Sequence, residues 1–295
     1  PNTEVIELEK NYLNKLKEIN TSKIAYSVAE ELRGRETTDK FQLKSVVVSY
    51  VLYRAALDEN VCIDSLEEFF QNSVMPEDLK SIAAWKEQGN KFVIVTGRSK
   101  ESIDAQVQAF DLPCDYLITN NGGMVFDENG NVLLSNFLNF DVCVDILHNV
   151  KKLDSVISYV VNDGIHRHRI VLQPDAVDHR YPNLKPDVTE AELLDMSHFA
   201  QIVLSMEDTD SALEVASKIN DLYYEQVVAY PNNFVVDIVP KGISKATGLD
   251  FLIAYANINE EDVYTIGDGH NDIPLIEFGV HGSVMSYADA DVKMH

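Results

Sequence analysis

The segment Val263-Tyr264-Thr265-Ile266, followed at once by Gly267-Asp268-Gly269-His270-Asn271-Asp272, constrains this chain more than any other. The first four residues carry no charge and favour extended backbone, so they read as a buried strand. The turn after them holds two glycines and two carboxylates, and Pro274 suits the first turn of a helix. Strand, Gly-rich turn and helix start make one β-α unit. Open α/β sheets place their ligands at the carboxyl ends of such strands. Asp268 and Asp272, four apart, suit a hard cation such as Mg2+, which takes oxygen ligands and keeps waters. An Asp in that place can also simply cap the following helix.

The same rhythm runs upstream. Residues 46–52, 92–95 and 115–119 read as strands, with helices over 79–88, begun at Pro76 and ended at Gly89, and over 100–110. This alternation predicts an α/β fold with a doubly wound sheet. The strand over 92–95 runs into Thr96-Gly97-Arg98, and the strand over 115–119 into Asn120-Asn121-Gly122-Gly123. Between 123 and 235 the pattern changes. A hairpin is expected around Glu128-Asn129-Gly130. A helix follows over 142–153, then strands over 155–161, 166–172 and 199–206, a helix over 212–222, and a hairpin around Pro231-Asn232-Asn233. The β-α pattern then resumes with a helix near Lys245, and a last short strand is expected over 284–286.

These motifs together resemble the haloacid dehalogenase (HAD) superfamily, in its Cof-type branch. The Gly267–Asp272 turn is similar to the family's fourth motif, Thr96-Gly97-Arg98 to the second, and Lys241-Gly242-Ile243-Ser244-Lys245 to the third. Lys245 lies 23 residues before Asp268. Asn120-Asn121-Gly122-Gly123 resembles the loop where such proteins leave their core for an inserted cap. The resemblance covers residues 45–295 and implies a Rossmann-like core over 45–122 and 236–295, with an α/β cap over 123–235. It implies that Thr96, Gly97 and Lys245 bind phosphate, that Asp268 and Asp272 hold Mg2+ with Asn271 in support, and that Asn121 lies near substrate. Family members usually carry one further helix beyond the point that corresponds to His295.

The first motif departs from the family. It should be a strand ending in Asp-x-Asp-x-Thr, the first Asp a nucleophile that forms an aspartyl-phosphate and the second the general acid and base. The matching strand over 45–54 instead places Ser49 at the nucleophile position, Val51 at the acid position and Tyr53 at the Thr position. Asp58 and Asp64 lie downstream, but neither follows an apolar strand. Ser49 needs an adjacent base to attack phosphorus, and Val51 supplies none. Loss of acid-base help alone costs about 10²–10⁴ in rate. One acidic metal ligand goes as well, so Mg2+ binding is weakened or lost. The expected protein binds a small phosphorylated metabolite of the sugar-phosphate type, with hydrolysis lost or strongly reduced. An active Mg2+-dependent phosphomonoesterase with a non-standard nucleophile is the alternative.

Charge narrows the partners. With 48 acidic against 24 basic residues the net charge is −24, which argues against nucleic acid or an anionic membrane, since phosphate backbones need Lys/Arg patches. Cys62, Cys114 and Cys143 show no metal spacing and fit a reducing cytosol. No apolar run approaches the roughly 20 residues that span a bilayer, and the polar opening Pro1-Asn2-Thr3-Glu4 is not a signal peptide. A cytoplasmic protein is expected, and the absence of Met at position 1 fits a trimmed start.

Two features stand outside the phosphate motifs. Val5, Leu8, Tyr12, Leu16 and Ile19 form one helical face within an N-terminal extension over 1–44. That face suits packing on the domain, or a homodimer or protein partner, and a third reading makes this helix an interaction module on a HAD scaffold. In Ile165-His166-Arg167-His168-Arg169-Ile170, strand alternation sets the histidines on one face and Arg167 and Arg169 on the other. Two arginines on one face suit a second anionic group, or merely a solvated outer surface. His270 and His281 are not assigned as ligands.

Overall fold

A computed structural model describes residues 76–176, 186–286, 288 and 290–295. The N-terminal helices expected over 1–44 and the strand over 45–54 lie outside the described residues. The chain divides into two compact units, Pro1–Ser81 and Ile82–His295, and the elements below belong to the second, save the start of the first helix.

Helix α1 (Pro76–Glu87) ends at Gly89, whose left-handed backbone (φ +85°) lets its N–H donate to the Lys86 carbonyl at 2.8 Å. Strand β1 (Val93–Val95), helix α2 (Lys100–Ala109) and strand β2 (Tyr116–Thr119) form the expected parallel β-α-β unit, with Val93 opposite Tyr116. Ser99 caps α2 by accepting from the Ser102 N–H. Strands β3 (Met124–Asp127) and β4 (Val132–Ser135) close a hairpin in which Asp127 accepts from the Asn129 and Asn131 N–H groups at 2.9 and 2.8 Å.

That hairpin sits differently from the sequence reading, which gave it to the inserted segment. It pairs antiparallel onto β2, making one sheet ordered β1-β2-β3-β4. The reason lies in its side chains. Met124, Val125 and Phe126 are all buried, so β3 is covered on both faces as an interior strand, while the far strand of a solvated hairpin would alternate.

The inserted layer is a five-stranded antiparallel sheet ordered β6-β5-β7-β9-β8. Its strands are β5 (Val156–Asn162), β6 (Arg167–Val171), β7 (Gln201–Met206), β8 (Val227–Asn232) and β9 (Val235–Pro240). Helices α3 (Phe140–Val150) and α5 (Thr209–Leu222) pack on one face, where Ile146, Leu147 and Val150 meet Tyr159, Val161, Ile202, Leu204, Val215 and Ile219. Burying each such side chain stabilises by about 1.5–3 kcal/mol, so this face is the main adhesive of the layer. A short helix α4 (Glu190–Leu194), capped by Thr189 and Glu192, is an addition no periodicity announced. The closing hairpin is tighter than expected: β8 and β9 pair through Asn232 and Val235, across Asn233 at φ +50°. Because β9 runs to Pro240, the chain leaves this layer only at residues 241–244.

Helix α6 (Lys245–Ala256), strand β10 (Tyr264–Gly267), helix α7 (Ile273–Ile276) and strand β11 (His281–Val284) complete the described chain. Strands β10 and β11 pair in parallel and, among the described residues, form a sheet separate from β1–β4. The reading of residues 263–266 as a buried strand needs correction. Thr265 and Gly267 are buried, but Tyr264 and Ile266 are 65% and 62% exposed. Helix α7 covers one face, and β11 is the one strand hydrogen-bonded to β10 among the described residues. The last strand starts three residues earlier than predicted. Its polar residues hid it, and Gly282 lies so close to α7 that a Cβ there would sit 2.0 Å from the Ile276 carbonyl oxygen. Among the described residues, no helix is long and apolar enough to cross a membrane.

Candidate functional site

Three turns meet at the carboxyl ends of β1, β2 and β10. The first two are laced by backbone hydrogen bonds. Thr96 N–H donates to the Ile118 carbonyl at 2.8 Å, Asn121 N–H to the Thr96 carbonyl at 3.0 Å, and Asn120 N–H to the Arg98 carbonyl at 3.0 Å. Thr96 Oγ1 accepts from the Arg98 N–H at 3.2 Å, so its own hydroxyl hydrogen is left to donate elsewhere. Asn120 and Asn121 both adopt left-handed backbone, φ +51° and +54°, a region that asparagine tolerates better than most residues.

Helix α6 is pressed against the second turn by missing side chains. A Cβ on Gly122 would lie 1.9 Å from the Ser244 carbonyl oxygen, and one on Gly248 would lie 2.6 Å from Ile118 and 2.9 Å from the Gly122 Cα. Ser244 and Thr247 form a reciprocal cap. Together these fix Lys245 as the first helical residue, buried at 6% exposure.

Lys245 Nζ donates to Asp272 Oδ1 at 2.5 Å, a pair in which both side chains are 8% exposed. The other oxygen, Oδ2, accepts from the Asp268 and Gly269 N–H groups at 3.1 and 3.0 Å. Burial pushes the Asp272 pKa up, but the Lys245 charge and these hydrogen bonds outweigh it and hold the carboxyl below its ordinary value. Asn271, also buried, donates its Nδ2 to Asn121 Oδ1 at 3.0 Å and so joins the third turn to the second.

The expected site residues thus divide. Thr96, Gly97, Asn121, Lys245, Asn271 and Asp272 come together. Asp268 stands at the exposed tip of its turn. Asp272, expected as a metal ligand, uses both oxygens to bind Lys245 and two backbone amides. Among the described residues, no three His, Cys, Asp or Glu side chains lie close enough to hold a metal ion. These residues alone do not fit Mg2+. Ser49, Val51 and Tyr53 lie outside the described residues.

Among the other residues singled out, His270 Nε2 pairs with Asp291 Oδ2 at 2.5 Å, and His281 stacks on Tyr264 at 4.3 Å. Both contacts are structural. His166 and His168 turn to Asp163, at 3.6 and 3.0 Å. Arg167 lies opposite Asn162 and Arg169 opposite Val160, on the sheet face away from α3 and α5. Arg169 is buried at 6% exposure, which removes the solvated-surface reading for it. The same face holds a chain that periodicity does not reveal: Asn162 Nδ2 donates to Gln201 Oε1 at 3.3 Å, and Gln201 Nε2 to Asp237 Oδ1 at 2.8 Å.

A family model for haloacid dehalogenase-like hydrolases matches residues 70–295. The chain belongs to this family. The match starts after Ser49 and Val51. A Streptococcus pyogenes relative, whose name joins a phosphatase to a peptidyl-prolyl cis-trans isomerase, is 26% identical over 225 residues. That alignment takes in 73% of this chain but only 44% of the relative. The fold is similar to that of a HAD/COF-like hydrolase from Plasmodium vivax, with a TM-score of 0.65 and 20% identity over 75% of this chain and 81% of that one. It is similar also to a HAD subclass IIB sugar phosphatase, with a TM-score of 0.62 and 23% identity over 76% and 85%. The chain is therefore a Cof-type HAD protein with a mixed α/β fold.

Proposed function

We propose that this HAD protein binds the phosphoryl group of a small phosphorylated metabolite, of sugar-phosphate type, and turns it over poorly or not at all. The observation that carries the binding half is the buried Lys245–Asp272 pair, held beside Thr96 and Asn121 by Gly122, Gly248 and Asn271. Asp272 fixes the lysine ammonium, whose remaining protons are donors suited to phosphoryl oxygens. The catalytic half rests on sequence: Ser49 and Val51 stand where the resemblance expects the aspartate pair. Arg167 and Arg169 offer a second anion contact on the inserted sheet.

The phosphatase and sugar phosphatase among the similar proteins favour a second reading, a working phosphomonoester hydrolase with an unorthodox nucleophile. Phosphate release from p-nitrophenyl phosphate and a panel of sugar phosphates, with and without Mg2+ and beside Asp268→Ala, separates the two. Release that the mutation abolishes overturns the poor-turnover reading. Binding of phosphate esters with no release above the mutant supports it. A contribution of residues 1–44 to self-association or to a protein partner is tested by deleting them and measuring the oligomeric state.

A further inference from the structure

Asn121 is 1% exposed, and among the described residues its Nδ2 has no hydrogen-bond partner. Its Oδ1 is taken by Asn271, which fixes the plane of the amide and leaves the donor end aimed away from that contact. The amide lies over Gly97: a Cβ built there would be 3.0 Å from both its nitrogen and its oxygen. Its own backbone N–H is bonded to Thr96. A buried amide donor left unsatisfied is costly, and native proteins rarely keep one without a use. Here it stands over the strand end that also carries Thr96, in the turn against which the Lys245 helix is packed.

We infer that Asn121 is a phosphate-contacting residue, its Nδ2 donating to a phosphoryl oxygen and its orientation set by Asn271. This rests on the phosphate-site reading above and deepens it, by adding a neutral donor to the lysine and the threonine. Every group so assembled donates, so the site suits a fully ionised phosphoryl group, whose oxygens only accept. The sharing of one amide between the second and third turns also makes Asn271 a positioning residue for the phosphate, although it stands in the motif expected to serve the metal. An ordered water is the competing partner for Nδ2, and it makes a different prediction: phosphate affinity would not depend on the side chain.

The test is inorganic phosphate affinity, measured by calorimetry on the full chain. The variants are Asn121→Gly, which keeps the left-handed backbone, and Asn121→Asp, which keeps the Oδ1 acceptor but loses the donor. Thr96→Val and Lys245→Met are run beside them. Binding by the wild type that weakens about 10- to 100-fold in Asn121→Gly, as expected for one hydrogen bond to a charged group, supports the assignment; Asn121→Asp, which adds a repelling charge as well, must weaken it at least as far. Affinity retained in either Asn121 variant at an unchanged melting temperature, while Thr96→Val and Lys245→Met lose it, overturns the assignment and leaves the phosphate site standing. No binding by the wild type overturns both. If Asn121→Gly does not fold, Asn121→Ala, which removes the amide without adding a charge, decides by the same criterion.

Discussion

Replacing Lys245 by Met keeps the side-chain length and apolar stem and removes the charge. Asp272 is then left as a buried carboxylate whose remaining partners are the Asp268 and Gly269 amides. Breaking a buried pair by deleting one partner typically costs about 3–5 kcal/mol. The two amides stay, so the lower end applies, about 3 kcal/mol. For a structured unit of this size that is a melting shift of about 6–12 °C. The cost must also depend on pH. In the wild type the Asp272 pKa is held below its unfolded value, so the pair contributes stability above pH ~4 and loses it as pH falls through the folded pKa. In Lys245→Met burial acts with less opposition and the folded pKa rises. The variant's deficit is then full at neutral pH and shrinks on acidification towards pH ~4, where the carboxyl takes up a proton. Urea unfolding of both proteins at pH 7 and pH 4.5 gives the two differences. Lys245→Met/Asp272→Asn removes both charges and should recover most of the loss. A cost below about 1 kcal/mol at pH 7, or an equal cost at both pH values, would refute a buried, charged pair at the centre of this site.

Gly122→Ala should cost about 2–5 kcal/mol by adding left-handed strain to a clash with the Ser244 carbonyl; Gly242→Ala, equally left-handed (φ +81°) but with nothing within 4 Å, should cost only about 1–2 kcal/mol, and denaturant midpoints compare them. Burial raises the thiol pKa of Cys114 to about 11 and of Cys143 to about 12, so at pH 8 neither should label with a thiol reagent until the protein is unfolded, as peptide mapping will show. Ser49→Asp/Val51→Asp should create Mg2+-dependent phosphate release from a protein that lacks it; a folded double variant that stays inert would show that the remainder of the site is not competent.

What the sequence made legible is what local chemistry decides. The strand ends at Thr96 and Gly267 follow short β-favouring segments, and the start of α6 follows from Ser244 and Thr247 around Lys245. The hairpin turn at Asp127–Asn131 follows from its Asn and Gly. Its place in the molecule does not, because a hairpin reads alike wherever it docks; only the unbroken burial of Met124, Val125 and Phe126 shows that β3 lies inside a sheet. Strand β11 was displaced for the converse reason, since His281-Gly282-Ser283 pairs as a strand without an apolar residue.

The site itself shows the sharper limit. Spacing alone presents Asp268 and Asp272 as equals, two carboxylates in one turn. Backbone geometry separates them: the Asp268 and Gly269 N–H groups converge on one Asp272 oxygen, and Lys245, 27 residues upstream, takes the other. A carboxylate so held serves as the anchor of a lysine, whereas Asp268 stands exposed at the tip of the turn. The Asn121–Asn271 contact joins turns 150 residues apart, beyond the reach of any periodic or spacing argument. It ties the turn after β2, itself bonded to Thr96, to the turn in which Asp272 holds Lys245. On the reading proposed above, the groups assigned to phosphate binding are held by contacts of their own, so that Ser49 and Val51 in place of an aspartate pair would remove chemistry and leave those groups standing.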